Sequence, residues 1–127
     1  MEENDFKRMV SYGYKVCDFY IVTLEIPEDA KFVGGPHRKC RCSKAKCVAI
    51  ETMDGKPSHT LSVVSFYDPN FVYKIGETVE AKDFDPDETH ICSGGIHFYN
   101  TRKEAEDLLR SIWTSISDIL NNAILYG

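Results

Sequence analysis

Apolar and polar positions follow two different rhythms along the 127-residue chain. From Thr101 onward a three-four spacing runs through Ala105, Leu108, Leu109, Ile112, Trp113, Ile116, Ile119, Leu120 and Ala123. Arg102, Lys103, Glu106, Asp107, Arg110, Ser115 and Asp118 lie between them. This is the signature of a helix with one apolar face over about five turns. Thr101 and Glu104 stand three apart, as in a capping box, in which the hydroxyl and the carboxylate each accept from an orphaned backbone N–H. The spacing predicts a helix over 101–124.

Before Thr101 the rhythm is that of strands. Tyr14 to Ile26 is dense in β-branched and aromatic residues and stops at Pro27. It reads as one central strand with Val16, Tyr20, Val22, Leu24 and Ile26 on one face and Phe19 and Ile21 on the other. Cys47 to Ile50 reads as a second strand, and the turn Met53–Pro57 would join it in a hairpin to Leu61–Tyr67. Tyr73, Ile75 and Val79 alternate with polar residues as one further short strand. Ile96 to Tyr99 gives the last strand, after Gly94 and Gly95, which let the backbone turn or pass close to a neighbour. Residues 1–13 read as a loose arm, 14–100 as β-rich and 101–124 as helix, all in a single domain of 1–127. The predicted fold class is α+β: a mostly antiparallel sheet of four to six strands packed by one long C-terminal amphipathic helix.

Composition narrows the functional class. Hydrophobic content of 43% and aromatic content of 12% are those of a folded globule. A net charge of −5 excludes a generic nucleic-acid coat. No apolar run approaches the roughly 20 residues of a membrane-spanning helix. Met1 to Asp5 is acidic and lacks the layout of a signal peptide, so a cytoplasmic location is expected. Five cysteines, an odd number, fit free thiols better than a disulfide framework.

Charge distribution supplies the main candidate site. Lys31, Arg38, Lys39, Arg41, Lys44 and Lys46 fall in one stretch without an acid, while residues 80–90 are rich in Asp and Glu. With Gly34 and Gly35 alongside, backbone N–H groups and cations could cradle a phosphate. The expected ligand-binding residues are Arg38, Lys39, Arg41, Lys44, Lys46 and His97. The plainer alternative is a strand with solvated basic flanks that pairs electrostatically with the acidic loop. His37, Cys40, Cys42 and Cys47 invite a zinc reading, but their spacing is not that of two paired motifs. Cys40 and Cys42 would share a strand face, with Cys47 on the opposite one, and His90, Cys92 and His97 would complete a site only if the fold brought them in. Cys92 with His90 or His97 would make a thiol–imidazole pair beside a turn offering oxyanion donors. Packed, inert thiols are the simpler reading of both sets. No pattern calls for a cofactor.

One set of motifs resembles a known family. Tyr73-Lys-Ile-Gly-Glu77, an acidic spacer, Cys92-Ser-Gly-Gly-Ile-His-Phe98 and Thr101-Arg-Lys-Glu-Ala-Glu106 are similar to a domain common in phage and giant-virus proteomes, alone or joined to pentapeptide repeats. The likeness covers roughly residues 16–107, taking in Arg38–Arg41 and Ser65–Asn70. It implies a viral origin, hence a host-cell cytoplasm, and no particular activity. The chain departs from the pattern by running on into a long helix after Glu106. The resulting expectation is a small viral accessory protein that binds, without catalysis, a nucleotide-like anion or a host defence component. One rival is a nucleotide-processing or ADP-ribosyl-transferring enzyme using Cys92, His97 or the Tyr73–Glu77 strand. The other is a protein-interaction module that forms homo-oligomers through the Trp113 helix.

Overall fold

The computed structural model describes residues 11–35, 39–65, 71–90 and 93–126. Of the arm expected over 1–13, residues 1–10 lie outside these, and Ser11 already begins the first strand. The described chain is α+β: nine strands, every pairing antiparallel, and one long C-terminal helix.

The strands are β1 (Ser11–Cys17), β2 (Tyr20–Ile26), β3 (Phe32–Val33), β4 (Cys40–Cys42), β5 (Lys44–Glu51), β6 (Ser62–Val64), β7 (Val72–Lys74), β8 (Thr78–Glu80) and β9 (Ile96–Phe98). They form three sheets rather than one, in the orders β1-β2-β5-β8, β3-β4-β9 and β6-β7. Tyr14 and Tyr99 exchange backbone hydrogen bonds of 2.9 and 2.7 Å, which joins the first two sheets.

The expected single strand over Tyr14–Ile26 is instead a hairpin. Asp18 and Phe19 both have positive φ, 50° and 69°, and the register runs from Cys17↔Tyr20 to Ser11↔Ile26. A two-residue turn of this hand matches the strand twist. Asp accepts such a backbone readily, whereas Phe does so only at a cost of roughly 1–2 kcal/mol. The hairpin expected across Met53–Pro57 also pairs differently. β5 lies between β2 and β8, with a bulge between Thr23 and Leu24, while β6 pairs with β7. The Tyr73–Val79 segment is two strands, because the chain turns at Gly76 with φ 90°.

The hairpin β1-β2 separates two apolar clusters, as a period of two requires. Cys17, Val22, Leu24 and Ile26 face the larger cluster, with Cys40, Cys42, Cys47, Ile50, Val63, Tyr73, Ile96 and Phe98. Val16 and Ile21 face the helix α1 (Arg102–Tyr126) through Ala105 and Leu109. Full burial of Leu109 and Ile21 contributes roughly 1.5–3 kcal/mol each. At the helix start the Glu104 N–H donates to Thr101 Oγ1 at 3.3 Å and that hydroxyl donates to the Glu104 carboxylate at 2.9 Å. Cys47 shares the core of Cys40 and Cys42 instead of facing away, because β4 and β5 belong to different sheets that close over one another.

Candidate functional site

The basic stretch does not converge on one site. Arg41 points inward and is 1% exposed. Its Nη1 donates to the carbonyls of Asp85 and Gly94 at 2.6 and 2.9 Å. Its Nη2 donates to those of Asp87 and His90 at 2.9 and 2.7 Å. The acidic loop therefore folds around a guanidinium, but through main-chain oxygens rather than carboxylates. Gly94 fits because a Cβ there would lie on the Asp83 carbonyl oxygen. Gly34, expected to help cradle an anion, instead packs on Cys40: its φ is 139° and a Cβ would collide with that side chain.

The other candidates scatter. Lys44 donates to Asp29 at 2.5 Å. It lines a hollow of about 310 Å³ with Lys31, Lys82, Ser43, Asp29 and Glu80. Lys46 is exposed on β5, two residues along. Arg38 lies outside the described residues. Lys39 and His97 do come together, with Lys15, around a cavity of about 20 Å³, room for one water. Sequence reading passed over Lys15, although a lysine between Tyr14 and Val16 in an apolar run is itself a signal. Lys15 is 8% exposed and donates to the His97 carbonyl at 2.8 Å, and burial lowers its pKa. His97 Nε2 lies 2.7 Å from the Ser93 carbonyl, which can only accept, so Nε2 carries the proton. Its Nδ1 is then an acceptor, buried and without a hydrogen-bond partner. Burial depresses the pKa of this ring, so it is neutral at pH 7.

The described cysteines, Cys17, Cys40, Cys42 and Cys47, are buried as packing. Burial pushes Cys17 and Cys42 up to about 12 and Cys47 to about 11, so these are thiols at neutral pH, poor ligands and poor nucleophiles. Among the described residues no group of three or more His, Cys, Asp or Glu side chains could hold a metal ion. His37 and Cys92 lie outside them. Ser93 Oγ and His90 Nδ1 both meet Asp85 Oδ2, each at 2.6 Å. The carboxylate sits in the middle, so His90 is not placed to take a proton from Ser93 as a nucleophile–base pair requires. These bonds hold Asp85 far below the usual carboxylate range and raise His90.

A further hollow, of about 680 Å³, was not anticipated. It is a groove lined by Phe19, Tyr20, Met53 and Trp113 together with the charged Asp18, Asp54 and Arg110. Phe19 and Trp113 pack at a tilt of 38° with ring centres 5.1 Å apart and are 40% and 45% exposed. Beyond Trp113 the helix leaves the body: Ile119 is 67% and Leu120 57% exposed.

The model of a family of unknown function, DUF5758, matches residues 2–105. The chain belongs to this family. The DUF5758 match ends at Ala105, within the first turns of α1, so most of the exposed helix lies beyond it. Uncharacterized protein L223 of Acanthamoeba polyphaga mimivirus is 35% identical over 96 residues, which cover 68% of this chain. The aligned part spans 60% of that relative's length. The similarity puts this DUF5758 chain beside a giant-virus protein, in line with the resemblance read from the motifs. No solved structure matches the chain. Among the described residues no helix is long and apolar enough to cross a membrane.

Proposed function

We propose that this chain is a small viral accessory module that works by holding a partner rather than transforming a substrate, and that it assembles with a second copy of itself through α1. One observation carries the reading. The apolar stripe that buries Leu109 completely continues to Ile119 and Leu120, which no described residue covers. Exposed apolar side chains arranged as a continuous stripe mark an interface, unlike scattered ones. The segment from Ser111 to Tyr126 contains a single charged residue, Asp118. A strongly charged partner finds little to pair with there, whereas an identical neutral stripe complements it. Sedimentation equilibrium over a roughly hundredfold concentration range tests the reading. A concentration-dependent dimer is expected, and a monomer throughout refutes it.

A second reading keeps the small anion, and the hollow lined by Lys31, Lys44 and Lys82 supports it. There an anion would displace Asp29 from Lys44 and accept from three ammonium groups and the Ser43 hydroxyl. Calorimetric titration with a nucleotide panel and inorganic phosphate checks it. Binding that a Lys82→Glu variant loses supports this reading, and no heat with any anion removes it.

A further inference from the structure

We propose that the two copies pair antiparallel, each using only the part of α1 beyond Trp113, so that the last helical turn of one reaches the Phe19–Trp113 groove of the other. This rests on the reading of α1 as the assembly element.

The direction follows from which way the stripe faces. At 100° per residue, Ile116, Ile119 and Leu120 lie within about 60° of the mean direction of Ala105 and Leu109. The free stripe therefore continues on the same side as the sheets, with Ala105 and Leu109 packed on Val16 and Ile21. A parallel, in-register partner would place its own residues 105–112 where β1 and β2 stand. An antiparallel partner avoids this. Its helix occupies only the space past the body, along the roughly 20 Å from Thr114 to Tyr126.

The register is bounded at both ends. Pairing Ile119 with Leu120 of the second copy centres the two-fold axis between these most exposed positions. It then sets residue 126 of one helix level with Trp113 of the other, where the groove opens. Such a contact is isologous, the same patch meeting itself. The last turn of α1 carries no basic residue. The groove that receives it holds Arg110, bonded to Asp107 at 3.1 Å, together with Asp18 and Asp54, so its apolar members Phe19 and Trp113, rather than its charges, receive that end. The short overlap predicts a weak pair, held by the groove as well as by the stripe.

The test mixes two full-length variants, Ile116→Cys and Ala123→Cys, whose positions are level in this register and, at 100° per residue, both lie on the stripe, where a disulfide can span them. Under mild oxidation the mixture is expected to give a disulfide-linked heterodimer, while each variant alone cross-links poorly. Trp113, the single tryptophan, should shift its emission to the blue as concentration rises, because the second copy covers it. A dimer in which each variant links efficiently to itself overturns the antiparallel register but leaves self-assembly standing. A monomer with unshifted emission overturns both. Ile119→Asp, at a position 67% exposed, should abolish pairing and, at concentrations where the parent is monomeric, melt with the parent. If it melts early even there, the helix end supports the fold and the pairing proposal falls.

Discussion

Replacing Arg41 by lysine keeps the charge and removes the fork. The guanidinium makes four bonds to carbonyls of residues 85–94 while 1% exposed. Bonds from a charged donor are worth roughly 1.5–3 kcal/mol each in net terms, and a buried acceptor left alone costs a similar amount. A lysine ammonium has three N–H groups on one nitrogen and cannot span oxygens that two separate nitrogens now reach. Losing two of the four bonds gives a destabilisation of about 3–6 kcal/mol, a large part of the 5–15 kcal/mol typical of a domain. Urea unfolding followed by far-ultraviolet dichroism reads the global term, and amide exchange at Asp87 and Thr89 reads the loop. The expected result is a lower midpoint, faster exchange in the loop, or both. A midpoint within about 1 kcal/mol of the parent, with the loop amides still protected, would refute the argument that the guanidinium organises this segment.

Four further outcomes follow. The two described histidines in this region should titrate with opposite sign. His90 has a raised pKa, from its bond to Asp85, so its stabilisation is present below pH 6.5 and is lost as pH rises through the folded value. His97 has a lowered pKa from burial, so stability falls as pH drops below 6.5, and melting curves of His90→Gln and His97→Gln between pH 5 and 8 should diverge in slope. Lys15 is also lowered by burial, so its own contribution grows as pH climbs toward the free-lysine value of about 10.4, opposing the loss from the raised thiols, and Lys15→Met should lose stability more steeply than the parent in denaturation at alkaline pH. The thiols of Cys17, Cys40, Cys42 and Cys47 are buried and should resist a disulfide reagent until denaturant is added, so more than one fast thiol in the native protein contradicts the core packing. Leu109→Ala should cost about 2–4 kcal/mol in chemical denaturation because the site is fully buried.

The helix was legible because its signals are local: the apolar period from Ala105 to Leu120 and the Thr101–Glu104 cap need no knowledge of the rest of the chain. The fold class followed from the density of β-branched residues before it. Strand pairing was not legible, since β2 meets β5 across Pro27–Ser43, and residues that meet through space leave no spacing to read. The Asp18-Phe19 turn was hidden because an aromatic residue at positive φ violates the usual turn chemistry. The basic stretch was visible as charge, but charge does not say which cation faces water. Arg41 and Lys46 look alike in sequence, yet one is sealed inside and the other is exposed. Only the closing of β4 against β9 decides between them. The groove at Trp113 was missed because the tryptophan fits the apolar period so well that it reads as core.

Arg41 recognises main-chain oxygens, an atom type that every amino acid supplies. The loop it gathers is shaped by this fork together with Gly94 and the Asp85 and Asp87 carboxylates, which accept within the loop, while exposed Glu88 takes no part in those bonds. A frame of this kind tolerates substitution on its outer rim while keeping the rim in place, as a display scaffold does. For a protein related to those of viruses, that permits a surface whose chemistry can be rewritten residue by residue without refolding the domain beneath it.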